Sequence, residues 1–581
     1  MKKTILLSLT VAALALSSCN DMLEKSPRDT PINDPAFWQN ENLVSSYCNT
    51  FFEDYSGYGT GTGGGWYYFK TLSDDQVRAD FEDWTFTSVP QSSSYWTSGH
   101  EEVRRANYAI TMLAGSSMAN KTKYIAIARL NRAWQYYQLV RMYGDVQWRN
   151  TVVLDPNNTE ETKMQRTDRD VVMDSVLNDL DFAIANLPAG NDKNSFTPAM
   201  AQAMKSDICL YEGTYCKYRT QADNGKAPDE ARASKYLQES VKASEAVMGM
   251  GYSLTADYGT IYNSVDLSGC NEIIFYRNYE KDVQHHSTVD WTSSSSQQYG
   301  ITRNAVESFL FRDGKPLATT TLNKSDLPKP VIKAYQTKKK DGSADSTAYD
   351  TIYTINNMTA VRDKRLGVLL DSVLCFKGHS WKRGYSANDA AMTSSTAYNI
   401  GKYDTPACDF YYRGNTGTNY TDAPIYWLAV IYLNYAEAKA ELGTISQSDL
   451  DNTINKLEAR AGLPNLTMSP AADPANNMNV SSLLWEIRRC RRCELMTDNW
   501  YRYWDLVRWH QLDKLDTDKY PSINEGANLS QVPHLDGALT LSGGYVKAVT
   551  SKVRTFDKKY YFFPVPTNEV QTSGCSQNPD W

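Results

Sequence analysis

A mainly α fold follows from three features of the 581-residue chain. Apolar residues recur at alternating spacings of four and three in several windows, which gathers them on one face of a helix. Short loops separate most of these windows, so consecutive helices must lie against one another. Small residues at inward positions (Ala201 and Ala203; Ala436, Ala438 and Ala440) let them approach closely. Together these predict about eight amphipathic helices stacked as helix–turn–helix pairs of the tetratricopeptide kind.

The elements follow in chain order. Lys2 and Lys3 precede an apolar run from Thr4 to Ala15, which matches a signal-peptide core and is too short to cross a hydrocarbon layer ~30 Å thick. Leu16-Ser17-Ser18-Cys19 then resembles a bacterial lipobox, in which Cys19 is lipidated and becomes the first mature residue. Residues 1–18 are therefore expected to be a lipoprotein signal peptide, and residues 19–581 a single domain held to a membrane by acyl chains such as palmitate. Asp21 and Glu24 behind the cysteine resemble a surface-export signal, which favours the cell exterior.

Helical windows follow at roughly 95–114, 199–219, 230–249, 425–442 and 481–496. Between them run Ala126, Leu130, Ala133, Tyr137 and Val140; then Val172, Val176, Leu180, Ala183 and Leu187, with Thr167 and Asp170 as a capping-box start and Pro188 as the stop. Leu450, Ile454, Leu457 and Ala461 form another stripe, closed by Gly462 and Pro464. The helical scaffold thus occupies roughly 95–250 and 425–515. Two tracts, roughly 48–95 and 255–423, are rich in Gly, Ser, Thr, Asn, Tyr and Trp, with strand-like runs at Ile273–Tyr276 and Thr351–Tyr353. Tracts this long must fold on the scaffold, and such insertions are where function tends to reside.

Composition excludes several classes. Lys+Arg 60 against Asp+Glu 67 leaves a net charge of −7, with no basic excess to neutralise a nucleic acid. Tyr 39 and Trp 14 against Phe 16 favour aromatics that carry a polar handle and work at wet surfaces. The cysteines beyond Cys19 are scattered, and Cys490-Arg-Arg-Cys493 stands without a second pair, reading as buried small residues on a helix face. No spacing of the six histidines suits a metal, and His285-His286 reads as a solvated loop pair. Gly59, Gly61 and Gly64 match GxGxxG without the strand–helix context of a nucleotide site. The arginine run 488–492, flanked by Glu486 and Glu494, reads as a solvated or ion-paired face. No cofactor is expected.

Motifs spread along the chain resemble the SusD/RagB family of outer-membrane nutrient-binding lipoproteins. These are Phe37-Trp38, Leu72-Ser73-Asp74-Asp75, Tyr95-Trp96 through Arg105-Ala106-Asn107, and Arg132-Ala133 through Tyr143-Gly144-Asp145-Val146. Further on come Asp179-Leu180 through Leu187-Pro188, Tyr435-Ala436-Glu437-Ala438, and Arg489 through Glu494-Leu495. Asp505-Leu506-Val507-Arg508-Trp509, Pro564-Val565-Pro566 and Gln577-Asn578-Pro579 complete the order. Gln147, where the family has proline, and Asn499, where it has glycine, depart from the pattern.

The resemblance implies four tetratricopeptide-like pairs docked on a SusC-like TonB-dependent transporter. The chain would capture oligosaccharide, or peptide as some members do, and hand it to the barrel without chemistry. A surface glycosidase is the less favoured alternative, because adjacent Asp74 and Asp75 do not set two carboxylates across a cleft. A pure protein scaffold is the third. Sugar binding calls for flat ring faces and planar polar groups. By analogy with where the family places its ligand contacts, Asp74, Arg78, Trp84, Trp291 and Tyr299 are the expected contacts, with Trp66 and Trp381 next. The clusters around them include Phe81, Gln297 and Gln298.

Overall fold

Amphipathic stripes close on one another in chain order. The computed structural model describes the chain from residue 32 onward, apart from residues 33, 65–71, 153–162, 294–298, 339–342, 378, 380–392, 406, 409–416, 499–500, 534 and 536–538. Helix α1 (Glu41–Asn49) starts where the Asn40 side chain accepts from the amides of Asn42 and Leu43. Helices α2 (Ser94–Ala114) and α3 (Lys121–Tyr143) pack together, and α4 (Arg169–Asn186) lies on α3. The cap of α4 is Asp168, accepting from the Asp170 amide, not the expected Thr167–Asp170 box. Helix α5 (Pro198–Tyr218) begins with Pro198 behind an N-capping Thr197, and α6 (Glu230–Met248) behind Asp229. Gly213 lets α5 and α6 touch: a Cβ there would sit 2.7 Å from Leu237 Cγ.

The second helical group follows the long tract. Helix α7 (Thr288–Ser293) and α8 (Arg303–Ser308) are short. Helix α9 (Leu428–Glu441) packs on α5 and α6. The stripe at 450–461, expected as one helix, is two: α10 (Gln447–Asn452) and α11 (Ile454–Ala461). They break at Thr453, whose hydroxyl donates to the Asp449 carbonyl at 2.6 Å and whose backbone leaves the helical region at φ −132°, ψ −89°. Such side-chain bonding competes with the helix ladder. Helix α12 (Ser482–Glu494) packs on α9, and α13 (Tyr501–Arg508) on α5. Among the described residues no helix is long and apolar enough to cross a membrane.

The tracts carry short strands. Strands β1 (Gly59–Thr60) and β2 (Gly63–Gly64) form a hairpin; β3 (Gln76–Val77) pairs antiparallel with β5 (Gly300–Ile301); and β4 (Ile273–Arg277) pairs with β8 (Ala423–Trp427), which runs directly into α9. Strands β6 (Lys329–Lys338) and β7 (Ala344–Thr354) make a long antiparallel ribbon. Among the described residues two large apolar clusters and a small one, Leu210, Leu237 and Ala438, fill the interior. One large cluster is built on α1–α6 with the C-terminal Phe562, Phe563 and Val565; the other on the second tract with α9–α12.

Buried ion pairs tie these bodies together. Arg508 grips both Glu437 oxygens at 2.7 Å, and Trp509 Nε1 donates to the same carboxylate. Arg491 donates to Asp505, Arg488 to Glu441, and Arg365 and Arg460 to Glu494. The arginine run is therefore ion-paired, the second of the two readings, and turned inward as a clamp rather than solvated. Cys490 and Cys493 are buried free thiols, as the helix-face reading expected. His286 departs from expectation: it is fully buried, with Nε2 donating to the Thr421 carbonyl at 2.9 Å and Nδ1 accepting from the Thr288 amide.

Candidate functional site

The turn Ser73-Asp74-Asp75 is locked on three sides. Arg502 donates to Asp74 Oδ1 and Oδ2 at 2.7 and 2.6 Å, and Arg492 donates to Asp75 Oδ1 at 2.7 Å. Burial raises the Asp74 carboxyl, but Arg492 and Arg502 outweigh it and hold the acid well below the usual range. Thr302 completes the clamp: its hydroxyl donates to the Asp74 carbonyl at 2.6 Å and its amide to the Asp75 carbonyl at 2.9 Å. Thr302 also caps α8, accepting from the Ala305 amide.

From this clamp, β3 and β5 run together with Gln76 opposite Ile301 and Val77 opposite Gly300. A Cβ at Gly300 would stand 2.2 Å from the hydroxyls of Ser394 and Thr396, so only glycine allows that segment to close over the pair. Ser395 fastens it by donating to the Val77 carbonyl at 2.7 Å. The register sets Arg78 beside Tyr299, with the guanidinium 5.7 Å from the ring centroid. Arg78 keeps 28% of its side chain exposed and donates to Asp80 at 2.8 Å, while Phe81 beyond it is half-buried. Burial pushes the Tyr299 phenol up to about 12.

A second junction lies nearby in the chain. At the tip of the Gly59–Gly64 hairpin, the Gly61 amide donates to the His285 carbonyl and Ser287 Oγ donates back to the Gly61 carbonyl. The strand leading toward Trp66 and the helix α7 carrying Trp291 therefore leave the same knot. The GxGxxG match is thus a β-hairpin pinned to the second tract.

Of the expected contacts, Arg78 and Tyr299 are brought together, but Tyr299, 3% exposed, is itself enclosed beneath the Arg78 guanidinium. Asp74, 3% exposed, is enclosed and paired with Arg502. Trp84 is enclosed too: 5% exposed, it stacks on Tyr560 at 4.3 Å and its Nε1 donates to the Thr555 carbonyl. Both serve the anchoring of the first tract. Trp66, Trp381, Gln297, Gln298 and the lipidation site Cys19 lie outside the described residues, as does the side chain of Trp291. Sequence reasoning missed Arg492, Arg502 and Thr302 as the residues that hold the site, since nothing local marks pairings so distant in the chain. For a metal, the described residues bring Asp170, Glu212 and Cys216 together, but Arg169, Arg219 and Arg232 already occupy those carboxylates.

The SusD family model matches residues 244–581, more than half of the chain. The chain belongs to the SusD family. A model described as starch-binding associating with outer membrane matches residues 22–210. A SusD-like protein of Bacteroides ovatus is 25% identical over 45% of this SusD-family chain, which spans only 47% of that relative's length. A SusD-like protein of Formosa agariphila is 24% identical over 73% of the chain and 71% of its own. Among solved structures, a SusD-like carbohydrate-binding protein of Bacteroides fragilis superposes with TM-score 0.68 at 19% identity, covering 92% of this chain and 99% of that one. A laminarin-binding SusD-like protein gives 0.53 at 19% identity, with 94% and 100% covered. These structural likenesses establish a mainly helical SusD-like fold.

Proposed function

We propose that this chain is a glycan-binding lipoprotein of the outer membrane, anchored through Cys19 and facing the cell exterior. It takes up oligosaccharide and passes it unaltered to a SusC-like TonB-dependent transporter. The observation that carries this reading is the β3–β5 junction, which presents the partly exposed Arg78, seated over the buried Tyr299 ring, on a surface clamped to the helices. Arg78 offers paired donors to sugar hydroxyls, and ring faces receive the C–H side of a pyranose. Trp291, Trp66 and Trp381 are the ring contacts we assign to the ligand, whereas the buried Asp74, Trp84 and Tyr299 support the Arg78 surface from beneath. Structural neighbours include the laminarin-binding protein and one described with xylogluco-oligosaccharide, the latter at TM-score 0.55 and 16% identity over 94% of this chain and 96% of that one.

Isolated contacts of this type give affinities of roughly 0.1–10 mM, or about 3–5 kcal/mol. Native affinity electrophoresis against plant, fungal and host glycans, followed by calorimetry on the retarding glycan, tests the proposal. Arg78→Ala and Trp291→Ala should each weaken binding at least fivefold with melting unchanged, and the recovered glycan should be intact. Unchanged affinity in both variants overturns the site assignment. Shortened product overturns the carrier reading in favour of a glycosidase, and binding of peptides alone overturns the ligand class.

A further inference from the structure

Between α2, α3, α5 and α13, away from the Arg78–Tyr299 surface, lies a cavity of about 420 Å³. Its size falls within the ~300–1,000 Å³ common for small-molecule sites. Seven ring-bearing side chains wall it, among them Tyr95, Trp134, Tyr137, Tyr211 and Trp504. Ser94 and Ser98, both exposed, stand among its lining residues and mark where it opens to solvent.

Among the charged lining residues Asp54 and Glu102 pair with Arg105, Arg141 is only partly engaged, and Asp207 is engaged by no hydrogen bond among the described residues. Arg491 and Arg508 also line it, but both are held by Asp505, and Arg508 by Glu437 as well. Arg141 is 8% exposed and stacks over Trp504 at 4.5 Å and Tyr137 at 4.8 Å. Its Nη2 reaches Gln138, while its Nε has no hydrogen-bond partner among the described residues. Asp207 feels the charges of Arg491 and Arg141 without a hydrogen bond to either, and burial raises its pKa. An acceptor and a donor of opposite sign, set among ring faces, match a ligand that is neutral and carries hydroxyls. An anion would meet Asp207 with the lining carboxylates Asp54, Glu102 and Asp505, and a cation would meet Arg141, Arg491 and Arg508, each at a cost.

We infer that this cavity is a second binding site, internal to the helical scaffold, that takes a neutral mono- or disaccharide, with Asp207 accepting from sugar hydroxyls and Arg141 donating to them. The inference goes beyond the surface site and does not depend on it. Ligand-observed saturation-transfer NMR of the full chain with glucose, galactose, mannose, xylose and maltose tests it, with alanine and tryptophan as zwitterionic controls. At least one sugar should bind. In an Arg78→Ala background, where the surface site is weakened, that sugar should still bind; there Asp207→Asn, nearly isosteric, should weaken binding at least tenfold and Gln138→Ala at most threefold. A crystal soaked with that sugar should show it in this cavity, within hydrogen-bond reach of Asp207 and Arg141. Failure of every sugar, binding of the amino acids alone, or undiminished affinity when a folded Arg78→Ala chain also carries Asp207→Asn overturns the proposal. Loss of sugar binding in Arg78→Ala with Asp207→Asn unaffected would instead place all of it at the surface.

Discussion

Single side chains decide which aromatics can meet a ligand. Trp84 looked like a ring face beside a polar turn, yet its plane is covered by Tyr560 at 11° and its nitrogen is used by Thr555. Trp84→Ala should therefore cost about 3–5 kcal/mol of stability, as large aromatic truncations in cores do. Denaturant unfolding will show this, and unaltered stability would return Trp84 to the ligand surface. His286 makes a pH-dependent statement. Burial, the largest effect, drives its pKa down to about 3, against an unfolded value near 6.5. The unfolded chain then binds the proton more readily, so the contribution of His286 is complete above pH ~6.5 and lost as pH falls toward 3. Glu102, raised to about 7 by burial, runs the opposite way, so the comparison must be between variants. The melting temperature of His286→Gln, relative to its own value at pH 7.5, should fall less on acidification to pH 4.5 than that of the parent; parallel curves would exclude His286 as a source of acid sensitivity.

Elements were legible where their information is local. The stripes at 126–140 and 172–187 announced α3 and α4, because a helix needs only its own periodicity and caps. The break at Thr453 was not legible, since the apolar stripe continues through it and only a hydroxyl–carbonyl bond interrupts the ladder. Strands β3 and β5 are two residues each, too short for a period to show, and their clamp joins Thr302 to Asp74 across 228 residues. Contact between elements is readable at Gly213, where adding one methyl tests the packing directly. Alanine has the higher helix propensity by about 1 kcal/mol, which would stabilise an unconstrained helix. With Leu237 Cγ at 2.7 Å and its amide nitrogen at 3.0 Å, overpacking by about 1–3 kcal/mol should prevail. Gly213→Ala is thus expected to lower the denaturation midpoint, and a rise would mean that α5 and α6 part easily.

At the scale of the molecule, the site is a loop surface made precise by a distant scaffold. The family motifs that identify the chain are largely the residues of this attachment: Asp74 and Asp75 from the turn, Glu437 from α9, Arg508 from α13. They were recognisable in the sequence as an ordered set, but not as an interior network, because a charge run reads alike whether it faces water or buried carboxylates. The loop tracts around that network carry the proposed ligand surface, and they are the least periodic part of the chain. Coupling between the two can be measured. Asp74→Asn leaves Arg502 buried without its bidentate partner, a change that typically costs 3–5 kcal/mol. Because the lost bonds join the first tract to α12 and α13, the loosening should be local. Amide exchange should accelerate in 72–80 and 299–302 while the centres of α5 and α6 keep their protection. Glycan affinity should fall with it, although Asp74 itself is enclosed, because Arg78 is no longer held over Tyr299. Uniform acceleration across all helices would show instead that the turn and the scaffold unfold as one unit, and unchanged exchange would show that the clamp does not position the surface at all.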